Sequence, residues 1–153
     1  MTAILNFLQN EKRISQWLFW YWMVSPLLFF LYTYMQVVNA DVTFREALNN
    51  PNIALAFLTS CMSIITAYLL QVARQENENT ERVFSIFAIV QQLLVGNVIG
   101  FMLSFFLARA LWLFPRETFA PSKMRWVLLG GMVFLSFLTL LTLIARYNQW
   151  FGA

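Results

Sequence analysis

Three amides, Gln91, Gln92 and Asn97, lie within an apolar stretch that runs from Val83 to Phe114. A primary amide offers two donors and an acceptor, and leaving these unpaired away from water is costly. Two chemistries would satisfy them. They bond to neighbouring helices, at about 0.6–2 kcal/mol per bond, or they line a pocket or pore that holds water or a polar ligand. Interhelical bonding is the simpler reading, and Gln36 and Gln71 join the set only under the pore reading.

The groups needed for most other chemistry are missing. There is no histidine, so imidazole bases and histidine metal sites are excluded. The one cysteine, Cys61, allows no intrachain disulfide and reads as a small buried side chain. Asp41, Glu46 and Glu117 fall in one pair of loops, and Glu11, Glu76, Glu78 and Glu81 in the other. No carboxylate sits at the centre of an apolar segment, where a proton relay would need one. Arg109 is the doubtful case, and its long stem can carry its charge to an interface. Glu76-Asn77-Glu78-Asn79 resembles the start of a calcium loop. An EF-hand needs glycine at its sixth position and glutamate at its twelfth, where this chain has Glu81 and Phe87. P-loop, HExxH, CxxC and GxSxG patterns are absent. The expectation is a protein that is not an enzyme, with no cofactor and no metal.

Contact surfaces are better supplied. Gly96 and Gly100 form a GxxxG, extended by Ser104 and, in the same four-residue step, by Ala88, Gln92 and Ala108. Small residues let helix backbones approach closely, which gains dispersion contacts that lipid supplies less well. A second row, Ala56, Ser60, Ser63 and Ala67, has the four-three-four spacing of a left-handed seam. Both rows read as packing faces, toward helices of this chain or of another. Gly130-Gly131, Ser136, Thr139 and Thr142 form a looser set farther on.

These residues need elements to hold them, and composition names the class. Sixty per cent of the 153 residues are apolar and only 11% charged, against about 25% charged in a soluble domain. A chain this short cannot hide so much apolar surface in one water-soluble core. The expected fold is all-α: an integral membrane four-helix transmembrane bundle with short loops, one domain over residues 1–153. The spans fall at about 16–38, 53–72, 84–108 and 126–145, each near the ~20 residues that cross a bilayer. The apolar run 83–114 would be about 48 Å long as one helix, so the third span should tilt or end near Ala108. Residues 3–13 read as an interfacial segment. Trp17, Trp20, Tyr21 and Trp22 at one end, with Tyr147 and Trp150, and Tyr32, Tyr34, Trp112 and Trp126 at the other, fit two aromatic belts for four crossings. Helix starts are signalled by Pro51-Asn52, Thr80-Glu81 and Pro121-Ser122. Thr43-Phe44-Arg45-Glu46 has the capping-box spacing for a short helix. The apolar run 17–38 exceeds the ~7–15 residues of a signal-peptide core and reads as a retained span.

With four spans the positive-inside count is level, five basic residues on each side. Lys12-Arg13 against Arg45 across the first helix tips it toward both termini being cytoplasmic, in the plasma (inner) membrane. The basic residues are too dispersed for nucleic-acid binding. The function expected is that of a non-enzymatic subunit, stabiliser or regulator of a membrane complex. It would act through helix packing on membrane lipids and on a second copy or another membrane protein. The alternative is a small oligomeric transporter or channel that is not proton-coupled.

Overall fold

The computed structural model describes residues 11–40, 43–112 and 123–151. All regular structure among them is helical: α1 (Glu11–Ala40), α2 (Phe44–Ala47), α3 (Pro51–Glu76), α4 (Glu78–Val95), α5 (Val98–Trp112) and α6 (Lys123–Phe151). The stretch expected at 3–13 lies outside the described residues except for its last three, which open α1. Pro121 and Ser122 also lie outside them. Three helices, α1, α3 and α6, are long and apolar enough to cross a membrane, one fewer than expected. They contain the predicted spans 16–38, 53–72 and 126–145.

The helix boundaries follow local chemistry. Thr43 and Glu46 close the capping box that starts α2. Asn50 caps α3 by accepting the Asn52 N–H, and Pro51 takes the first position, where its missing N–H costs nothing. Asn77 alone separates α3 from α4 and accepts the Thr80 N–H. The cap of α4 is therefore Asn77, three residues before the expected Thr80.

The predicted span 84–108 is not one helix. Gly96 has φ 81°, its N–H bonds to the Leu93 carbonyl at 3.0 Å, and the Asn97 N–H bonds to the Gln92 carbonyl at 2.9 Å. This pair of bonds is a Schellman stop, and it needs a left-handed residue that glycine supplies without strain. Asn97 then caps the next helix, its Oδ1 accepting the Gly100 N–H at 3.1 Å. The chain reverses. At the far end, Arg82 of α4 donates through Nε, at 3.0 Å, and through Nη2 to the Leu111 carbonyl of α5. Helices of 18 and 15 residues, about 27 and 22 Å long, thus form an antiparallel hairpin closed at base and tip.

Side-chain pairs give the path of the chain. Phe30 of α1 meets Phe57 of α3 with ring centroids 5.7 Å apart. Thr142 and Gln149 of α6 meet Met62 and Asn52 of α3. Helix α3 therefore runs antiparallel to both of its neighbours. The start of α1, the end of α3, the base of the hairpin and the start of α6 share one end of the bundle. The start of α3 and the end of α6 share the other.

The apolar core is concentrated toward the first of these ends. Every buried residue of α3 lies at or beyond Ser60, and no residue of α6 beyond Thr142 is buried. Ile14, Leu18, Trp22, Phe84, Leu107 and Leu111 are buried to 1% exposure or less, where the hairpin packs against α1 and α3. Above the hairpin tip the long helices have little beside them.

Candidate functional site

The hairpin tip carries the polar groups. Tyr21 of α1 donates its hydroxyl to Asn97 Oδ1 at 2.6 Å and lies within hydrogen-bond reach of Ser25. Asn97 Nδ2 donates to Gln92 Oε1 at 2.7 Å, and Gln92 Nε2 donates to Gln91 Oε1 at 3.2 Å. Thr66 of α3 approaches the same Gln91 oxygen at 3.5 Å while bonding its own helix at the Met62 carbonyl. The three amides singled out in the sequence are thus linked in one chain from α1 through the hairpin toward α3. Two buried donors beside this chain have no partner among the described residues, Gln91 Nε2 and the Trp22 indole N–H.

The glycines serve this hub differently from a packing stripe. Gly100 is buried, and a Cβ there would lie 2.5 Å from Gln92 Oε1 and 2.8 Å from Asn97 Nδ2. Its role is to make room for the amide chain inside its own hairpin. Gly96 is exposed in the turn. A Cβ there would meet Nη1 of Arg146 at 3.0 Å, so the guanidinium of α6 lies over the C-terminal end of α4. A cation at a helix C-terminus opposes the partial negative charge of its unpaired carbonyls. Because the helix breaks between them, Gly96, Gly100 and Ser104 do not share one continuous face. Ser104 is buried and returns its hydroxyl to the Gly100 carbonyl at 2.7 Å.

On α3, Ala67 and Ser60 are buried, whereas Ala56 and Ser63 are half-buried, and Ser63 bonds back to the Thr59 carbonyl. A close contact between two long helices lies elsewhere. A Cβ on Gly131 of α6 would lie 2.5 Å from Leu69 Cδ2 of α3, whereas the same atom on Gly130 meets nothing within 4 Å. Gly131 belonged to the looser set in the sequence, and adjacent glycines there gave no sign of which one faces inward.

At the base, Glu81 is buried and accepts the Ser15 hydroxyl, which ties α1 to the hairpin. Arg109 is exposed in the last turn of α5. Cys61 is half-buried. No group of three or more His, Cys, Asp or Glu side chains gathers to hold a metal ion among the described residues.

The hub is an assembly of neutral hydrogen-bonding groups with a phenol at one end and a guanidinium above. It can fix helices and present amides at mid-depth, but it brings no base to a nucleophile. Beside it, α1 and α5 enclose an open-sided apolar groove of about 740 Å³. Comparison of the chain with known protein families, with curated proteins and with solved structures finds no match.

Proposed function

We propose that the chain is a three-crossing membrane protein with a re-entrant hairpin, serving as a non-enzymatic subunit, stabiliser or regulator of a membrane complex. The observation that carries this reading is the half-filled bundle. Around and above the hairpin tip, Leu31 and Met35 of α1, Val98 of α5 and Ile144 of α6 are exposed near Arg146 and the polar turn. Lipid tails solvate the apolar side chains but offer nothing to a guanidinium or to turn peptides. A helix from a second copy or from another membrane protein would meet both needs.

Three crossings also change the charge balance. Lys12, Arg13, Arg74, Arg82, Arg109, Lys123 and Arg125 belong to the end that holds the hairpin base, and only Arg45 and Arg146 to the other. The tenth basic residue, Arg116, lies between α5 and α6, outside the described residues. The level count expected for four crossings becomes strongly uneven, and the hairpin base takes the cytoplasmic side. The start of α1 is then inside and the end of α6 outside, in place of the shared side expected for four spans.

The second reading is a small channel or transporter, favoured by the amides at the hairpin tip. Against it, Asn97, Gln92 and Tyr21 already bond one another, which leaves few free groups for a permeant.

Labelling tests the topology. In a Cys61→Ala background, single cysteines replace Ala47, Asn77 and Asn148. An impermeant thiol reagent outside intact cells should label positions 47 and 148 and spare 77. Protection of 148 together with 77 would restore an even number of crossings. Crosslinking from Val98 and Ile144 in native membranes, read by mass spectrometry, tests the assembly. Absence of any adduct to a protein at both sites, with strong adducts to lipid, would reject the subunit reading.

A further inference from the structure

We infer that the groove between α1 and α5 is a binding site for one acyl chain of an anionic phospholipid from the leaflet that holds the hairpin base. Trp17, Trp20, Val24 and Leu28 form one wall, and Ile99 and Leu103 the other. From Trp17 to Leu28 the groove follows α1 for eleven residues, about 16 Å. Half of a ~30 Å hydrocarbon core is about 15 Å. The groove therefore has the length of a single leaflet, which matches one acyl chain.

The headgroup chemistry comes from the mouth. Trp17 and Trp20, both exposed, stand at the shallow end, where indoles favour the headgroup level. Arg13 precedes Trp17 by four residues, which places it one turn closer to the surface on the same face of α1. The Tyr21–Asn97 bond registers α1 against the antiparallel α5. Measured from that bond, Arg13 lies about 12 Å along α1 and Arg109 about 18 Å along α5, toward the same end. Both side chains are exposed, and Lys12 adds a third exposed cation there. Of the carboxylates at this end, Glu81 is turned into the bundle onto Ser15, and Glu11, two residues before Arg13, is outnumbered by Lys12, Arg13 and Arg109. An apolar slot one leaflet long, with exposed cations beyond its shallow end on both helices, is complementary to a phosphate-bearing lipid of net negative charge, the kind that enriches the cytoplasmic leaflet.

The inference rests on the membrane reading above, yet the two fail separately. Thiol labelling reports crossings and sidedness, whereas lipid retention is read in detergent, where sidedness plays no part. Delipidated full-length protein is titrated with phosphatidylglycerol or phosphatidylcholine carrying the same acyl chains, and bound lipid is counted by native mass spectrometry. The wild type should retain one phosphatidylglycerol, with a preference over phosphatidylcholine on the order of tenfold from the two flanking arginines. Arg13→Gln with Arg109→Gln should bring that ratio near one and leave phosphatidylcholine binding unchanged. Leu103→Trp, which fills the slot, should remove both lipids. If Leu103→Trp does not fold, Val24→Phe, which fills the slot from α1, replaces it. A filled slot that still retains one phosphatidylglycerol at wild-type affinity overturns the chain assignment. A preference that survives loss of both arginines overturns the headgroup assignment.

Discussion

Replacing Asn97 by alanine tests the hairpin most directly, because one side chain holds three partners. Its Oδ1 caps α5 through the Gly100 N–H and accepts the Tyr21 hydroxyl, and its Nδ2 donates to Gln92. Loss of an asparagine cap costs about 1 kcal/mol. Each lost side-chain bond between membrane helices costs about 0.6–1.7 kcal/mol. Tyr21 can turn to Ser25, so its share falls at the low end, whereas Gln92 Oε1 has no other donor among the described residues. The total is about 2–4 kcal/mol, a large fraction of the ~5–15 kcal/mol that stabilises a typical fold. The measurement is reversible unfolding in mixed micelles by titration with a denaturing detergent, followed by tryptophan fluorescence. Asn97→Ser keeps the cap and loses both longer bonds, so it should recover about 1 kcal/mol relative to alanine. Tyr21→Phe combined with Asn97→Ala should cost less than the sum of the two, because they share a bond. An alanine variant within about 0.5 kcal/mol of wild type, the scatter of an ordinary surface substitution, would refute the reasoning, since no capped turn could then be holding the reversal.

Gly96→Ala should cost about 1–2 kcal/mol for the left-handed backbone alone, because its other neighbour is the movable end of Arg146; thermal denaturation checks it. Adjacent glycines of α6 should respond in opposite senses in the same assay. Gly130→Ala gains roughly 0.5–1 kcal/mol of helix stability, whereas Gly131→Ala forces Leu69 away and overpacking costs about 1–3 kcal/mol. The Glu46 carboxyl is held below the usual carboxylate range, first by the Thr43 N–H and then by its hydroxyl. A depressed folded value means that the stabilisation of α2 is present at neutral pH and is lost as pH falls through that value. Protection factors of the Ala47 and Leu48 amides, corrected for the intrinsic slowing of exchange in acid, should therefore fall on acidification in the wild type and show no such pH step in Glu46→Gln.

Where the sequence was informative, one local rule acted without a rival. The box at Thr43 and Glu46, and Pro51, each mark a helix start that appears at the expected place. The long apolar runs that became α1, α3 and α6 offered no other structure, because a spanning backbone must bond to itself. At residues 96–100 two rules competed for the same letters. Glycine four residues from glycine reads as a packing stripe, yet glycine followed by asparagine is also a helix stop and a helix start. Hydropathy cannot separate the two, since a hairpin and a straight helix bury the same apolar residues. The length of the run, 83–114, was the available sign of a reversal, and tilt was a sufficient explanation for it. Tyr21 and Thr66, which meet Asn97 and Gln91 from α1 and α3, lay beyond what spacing alone could identify. Arg82 was a flank charge in the sequence, whereas its role as the clasp on Leu111 depends on the reversal.

The two ties from α1 to the hairpin have a consequence for biosynthesis. Ser15 waits for a partner 66 residues later in the chain, and Tyr21 for one 76 residues later. A ribosome adding about 5–20 residues per second takes roughly 4–15 s to supply the second. Throughout that interval Trp22, wholly enclosed in the finished molecule, has neither Phe84 nor the hairpin beside it. Nascent α1 must be sheltered for those seconds by lipid or by the insertion machinery. Slowed elongation between codons 40 and 97 would lengthen that vulnerable interval without altering a single residue of the product.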